Sequence, residues 1–380
     1  MAFASSLSLR AVDPVIPLVA ADLAVSTATA ALLSTAFALP YALTQPILGP
    51  VADMVGKTRF MTGCLVVLTA ACLVGAVAPT FAVVLAARVL SGIVAGGVFP
   101  IAMAVIGDRV AITERQVAIG RLLAAAMIGN LLGASLSGVV GDVVGWRGVF
   151  VGMGVFALLA TIGAVVGFRA TGRERPARLD LAAIPASYRI VFANPRAKIC
   201  FAAVFLEGVF VFGLFPYVAV LLSAAGETRA SIAGLVIAGF GIGGLCYAGA
   251  VSLLIARLGE RRMMTLGGAF VAAALAFIAL DLAWPYQFTA FVVLGFSFFT
   301  LHGCIQIYAT ELAPTARASA MSLHSASFFF GQAVGPLYYG LGLAQGQATA
   351  SILFGGFAVL AVGIACARWL PQRGRDAPAS

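Results

Sequence analysis

Apolar runs of roughly 18 to 25 residues follow one another along almost the whole of this 380-residue chain. A run of that length matches a hydrocarbon core of about 30 Å. No stretch between the runs is long enough to fold as a separate soluble domain. Hydrophobic residues make up 62% of the chain and charged residues only 10%, where a soluble domain carries roughly 25% charge. The bilayer is therefore the solvent, and the expected class is an all-α membrane protein.

Twelve spans are predicted, at 3–21, 29–51, 59–78, 81–106, 117–139, 148–168, 198–221, 231–255, 264–282, 286–309, 319–342 and 350–369. Residues 1–22 read as the first of them and not as a signal peptide. No basic segment precedes the apolar stretch, and Arg10 and Asp13 interrupt it. Of the 23 Lys and Arg residues, 19 fall on one set of alternating loops and the termini, whereas the opposite loops hold only Arg147 and Arg229. The positive-inside rule then puts both termini in the cytoplasm of a multi-pass cell-membrane protein. The excess of Arg over Lys and the wealth of Ala, Gly and Val suggest a GC-rich bacterium, hence a bacterial inner membrane.

The net charge of +9 could suggest nucleic acid, but its scatter over short loops without an aromatic-interleaved patch excludes that partner. Six cysteines lie inside apolar runs with no CxxC spacing, so neither a disulfide framework nor a metal site is expected. No H-E-x-x-H, G-x-S-x-G, Walker or G-x-G-x-x-G motif occurs. That leaves an intramembrane enzyme or a sensor as a remote reading, with no cofactor expected.

The most charged loop, 169–197, divides the spans six and six, giving an N-terminal half at 1–168 and a C-terminal half at 198–380. Leu179 to Phe192 lies either along the membrane surface or in solvent. The halves repeat weakly. Gly56-Lys57 answers Gly259-Glu260 at an offset of 203, and Gly129 and Gly133 answer Gly331 and Gly335 at 202. A parallel repeat of two six-helix halves, with its site between them, is a transporter plan.

These residues carry a family resemblance. Gly49, Asp53, Gly56, Lys57 and Arg59 resemble the loop signature G-x-x-x-D-x-x-G-[RK]-x-[RK] of the major facilitator superfamily. Arg88, Gly92 and Gly96 resemble its fourth-span signature, and Gly145-Trp146-Arg147 is common in the drug-efflux-like branch. The resemblance implies that the loop cluster latches an inner gate and that spans one, four, seven and ten line a central cavity. Two departures stand out. The fifth-span Gly-Pro of antiporters is absent after Gly133, and Gly335-Pro336 carries it in the eleventh span instead. The first span also lacks a basic tail, which fits a start upstream of Met1.

Intramembrane charges are few and therefore informative. Arg10 and Asp13 share a helical face in span one, Arg88 lies in span four and Glu207 in span seven. A carboxyl group in a low-dielectric site can exchange a proton, as a proton-coupled carrier requires. Asp13 either neutralises Arg10 in a structural pair or takes part in that exchange. Glu207 has no sequence-local cation, and Arg88 is its expected partner across the cavity.

Tyr41, Gln45, Asn130, Phe212, His302, Gln306 and His324 are cavity-lining candidates. The two histidines read as satisfied polar groups or as pH-sensing ones. Gly92, Gly129, Gly133, Gly331, Gly335 and Pro336 serve close helix packing or a hinge. The expected function is secondary transport of a small organic solute, by proton-coupled efflux (antiport) or else by uptake or exchange. Protons and membrane lipids are its other partners, and a monomer is the expected state.

Overall fold

The structure, a computed structural model, describes residues 1–168 and 183–370, apart from the side chains of residues 49, 50, 53, 112, 113, 116, 183 and 184. Every element among the described residues is helical. Ten helices are long and apolar enough to cross a membrane by length and composition. One of them, Ala230–Ile278, is two spans joined at Gly259. A further helix, Arg317–Ala344, has the length of a span but carries Ser319, Ser322, His324, Ser325, Ser327 and Gln332. That makes twelve. The fifth, Ile112–Val144, overruns its apolar stretch at both ends. A shorter helix, Ala183–Ala193, forms inside the expected linker, burying Val191 and exposing Arg189, Ile190 and Phe192. The rest of the linker, residues 169–182, and the tail from 371 lie outside the described residues.

The turns explain themselves chemically. Gly56 ends the second span at φ 98°, and Gly259 separates the eighth from the ninth at φ 70°. A side chain at such φ meets its own backbone, so both positions call for glycine. These two residues correspond in the repeat, so the same turn is built twice. Ser26 caps the second span, its hydroxyl accepting the Thr29 N–H at 3.0 Å.

The first and seventh spans are both broken. Ala2–Arg10 gives way to a 3-10 turn at Asp13–Val15 and then to Ile16–Asp22. Arg196–Phe210 gives way to Phe212–Tyr217 and then to Val218–Ala224. Pro14 sits in one break and Pro216 in the other. Proline withholds an N–H and crowds the preceding turn, so each break frees backbone groups in the middle of a span.

Two compact units form. The first comprises Met1–Asp180, Pro216–Ser223 and Thr228–Leu235; the second comprises Leu181–Phe215, Ala224–Glu227 and Val236–Ser380. Each is knitted by glycines that let backbones touch. In the first unit a methyl on Gly129 or Gly133 would strike the Phe3 or Leu7 carbonyl, and one on Gly92 would strike the Phe37 carbonyl. In the second, Gly331 meets Phe205, Gly335 meets Val209 and Gly295 meets Phe240 in the same way. Each contact in one unit has its counterpart in the other at the repeat offset.

Candidate functional site

Both broken spans place charge in the membrane interior, one cluster in each unit. In the first unit, the 3-10 turn after Arg10 brings Asp13 back towards it. Arg10 Nη1 donates to Asp13 Oδ2 at 3.3 Å, and the Ser34 hydroxyl donates to Oδ1 at 2.6 Å. Arg88 donates to the Ser8 carbonyl at 2.8 Å and to the Leu33 carbonyl at 3.3 Å. Its guanidinium lies over the Phe37 ring at 4.3 Å. Asp13 and Arg88 are at most 1% exposed. Two cations thus share one carboxylate away from water. Tyr41 stacks on Phe37, and Gln45 Nε2 donates to the Gly96 carbonyl at 3.1 Å, tying the second span to the fourth. Asn130 Oδ1 is buried without a partner among the described residues.

The second unit holds a different arrangement. Glu207, wholly buried in the seventh span, bonds His302 Nδ1 of the tenth at 2.7 Å through Oε2. Its position eleven residues from Arg196 puts it ~16 Å from that end of the helix, about mid-span. Within its own unit the partner of Glu207 is a histidine, which its sequence neighbourhood did not suggest. Arg88, the partner expected from sequence, is bound within the other unit to backbone carbonyls and packed on Phe37, with its Nη2 unpartnered among the described residues.

His324 of the eleventh span lies beside His302, ring centroids 5.4 Å apart. Phe298 stacks on His302 at 4.9 Å and Phe328 packs at 5.0 Å. Phe212, at the start of the 3-10 segment, touches both Phe298 and Phe328. Titratable groups near Glu207 include His302, Cys200 and Cys366. Gln306 is exposed. Pro336 lies within the eleventh helix next to the Gly335 contact.

The loop signature is positioned at the helix ends. Lys57 Nζ bonds Asp108 Oδ2 at 2.5 Å, joining the start of the third span to the end of the fourth. Arg59 is exposed. Gly49 and Asp53 belong to the second helix, but their surroundings lie outside what the structure describes. At the repeat-related place, Glu260 accepts the Tyr308 hydroxyl at 2.7 Å.

Several polar contacts had not been anticipated. Asp22 bonds Arg147 and accepts the Trp146 indole N–H at 3.1 Å. Asp142 caps the helix that begins at Ala230, accepting the Ala230 and Ser231 N–H groups at 2.8 and 2.9 Å. The breaks themselves were signalled by Pro14 and Pro216, which stand at the repeat offset. Among the described residues no group of three His, Cys, Asp or Glu could hold a metal.

These features agree with the comparisons to known proteins. The sequence model of the Major Facilitator Superfamily matches residues 1–336 and 230–380. The MFS-type transporter YfhI of Bacillus subtilis (strain 168) is 27% identical over 64% of this chain, and a chloramphenicol resistance protein of Streptomyces lividans is 28% identical over 59%. Each of those matches spans 60% of the relative's length. The MFS-type transporter YceJ of Bacillus subtilis is 26% identical over 85% of the chain and 82% of its own length. With twelve helices of span length among the described residues, a twofold repeat of glycine contacts and a family match over its whole length, the chain belongs to the Major Facilitator Superfamily.

Proposed function

We propose that this transporter exports small amphipathic organic solutes in exchange for protons, working by alternating access in a bacterial inner membrane. The observation that carries the reading is the wholly buried Glu207–His302 pair at mid-span. Such a pair has three net charges. As carboxylate with neutral imidazole it is −1. As carboxylate with imidazolium, or as carboxylic acid with neutral imidazole, it is neutral. One further proton gives it a single positive charge. A unit charge in the membrane field is worth ~2.3 kcal/mol per 100 mV, so the pair can couple both a pH difference and a voltage to transport. Efflux draws support from the chloramphenicol resistance protein and from an MFS-type efflux pump of Mycosarcoma maydis, 26% identical over 48% of this chain.

The test is proton release. Purified protein in weakly buffered detergent solution, given a panel of phenicols, aromatic dyes and other lipophilic antibacterials, is expected to release protons on binding one or more of them. Binding without any change in bulk pH would favour facilitative uptake or exchange.

The loop charges also support an orientation, with both termini and residues 169–197 in the cytoplasm. A periplasm-active reporter inserted near Gly226 should give signal, and one fused after Arg375 should give none. The reverse pattern would overturn the orientation.

A further inference from the structure

The seventh, tenth and eleventh spans bring together two polar atoms whose hydrogen bonds the Glu207–His302 pair leaves unmade. Glu207 is 0% exposed and His324 2% exposed. Glu207 Oε2 is taken by His302, but Oε1 has no hydrogen-bond partner among the described residues, and neither has His324 Nε2. Buried polar atoms left unpaired cost free energy, and native proteins rarely keep them without a reason. His302 lies between the two groups, bonded to one and packed against the other. Phe212 and Phe328 stand in contact at 5.2 Å beside them, and each remains partly exposed.

We infer that Glu207 Oε1 and His324 Nε2, walled by Phe212 and Phe328, form a solute subsite that takes the hydroxyl or amide N–H of a neutral aromatic molecule. With His302 as imidazolium the Glu207 carboxylate oxygen accepts only, and a neutral His324 with its proton on Nδ1 offers Nε2 as acceptor. A donor on the solute therefore satisfies either atom. An anionic solute would meet Glu207 unfavourably. The ring faces supply the apolar contact that an aromatic body needs. The inference rests on the reading of Glu207 as the centre of transport, and it adds the chemical class of the solute. The seventh and eleventh backbones approach closely at Gly208 and Gly331, next to Glu207 in the chain.

The chain has only two histidines, so labelling histidine with nitrogen-15 reports on His302 and His324 alone. The probes are 2-naphthol and 2-methoxynaphthalene, which share a ring system and differ in the donor. Full-length protein in nanodiscs is titrated with each. Saturable shifts of the imidazole resonances are expected, with 2-naphthol binding at least about tenfold more tightly, since a site built to bond a hydroxyl rejects its ether. In His324→Phe and in Glu207→Leu, followed by the remaining imidazole resonances, that preference should fall to about twofold or less. Equal affinity for the two probes, no saturable shift from either, or a preference unchanged in both variants overturns the subsite. If the hydroxyl preference holds but Glu207→Gln still couples transport to a pH gradient, the proton reading fails and the subsite stands. If Glu207→Gln uncouples transport while the two probes bind alike, the reverse is true.

Discussion

Replacing Asp13 by leucine is expected to lower the stability of the protein by about 3–5 kcal/mol, the cost of leaving a buried charge without its partner. The carboxylate accepts from Arg10 and Ser34 and faces two buried guanidinium groups, those of Arg10 and Arg88. Ser34→Ala removes only one hydrogen bond and should cost about 1 kcal/mol. Adding Arg10→Met to Asp13→Leu should recover part of the loss, because an apolar pair can replace a buried ion pair at little cost. Recovery should remain incomplete while Arg88 has no counter-charge. Thermal unfolding in detergent reads all four proteins. If Asp13→Leu melts like the parent, the carboxylate is not the counter-ion of this cluster.

This expectation places the first-unit charges on the structural side of a choice that the sequence left open. Arg10 and Asp13 stand three residues apart, so their pairing was legible from helical spacing alone. Ser34, Ser8 and Leu33, which complete the cluster, come from other helices or from backbone carbonyls. No local pattern announces such partners.

Glu207 shows the same limit more sharply. Its partner His302 is 95 residues away, and charge alone pointed to Arg88 as the natural complement. The Arg88 guanidinium is held by the Ser8 and Leu33 carbonyls and the Phe37 ring, with Nη2 left over, and none of these contacts shows in a sequence read for opposite charges. Neutral and weakly basic groups such as histidine carry no comparable signal in one sequence.

The fold was more readable, for physical reasons. Span length is set by bilayer thickness, and loop charge by insertion, so both leave marks in composition. The paired glycines 129 and 331, and 133 and 335, stood out because close backbone contact tolerates no side chain. The prolines that break the first and seventh spans carried equal information. Pro14 and Pro216 sit at the repeat offset, and interrupted spans at matching positions in two halves point to a transport site. Periodicity alone did not reveal them, because an apolar run reads the same whether its helix is continuous or broken. The Asp142 cap was hidden for the opposite reason: a carboxylate at a helix end resembles any solvated loop acid.

The most direct measurement is made on Glu207→Gln, which keeps the shape of the side chain and one hydrogen bond to His302 but cannot take up or release a proton. The protein is reconstituted into vesicles with the solute that produces the largest proton release. Counterflow exchange at equal pH on both sides should persist, since it needs binding and rocking but no coupled proton, though slowed as far as the amide weakens solute binding. Accumulation driven by an imposed pH difference alone should vanish. Accumulation by Glu207→Gln as steep as that of the parent would contradict the account, because Glu207 would then not carry the coupling proton.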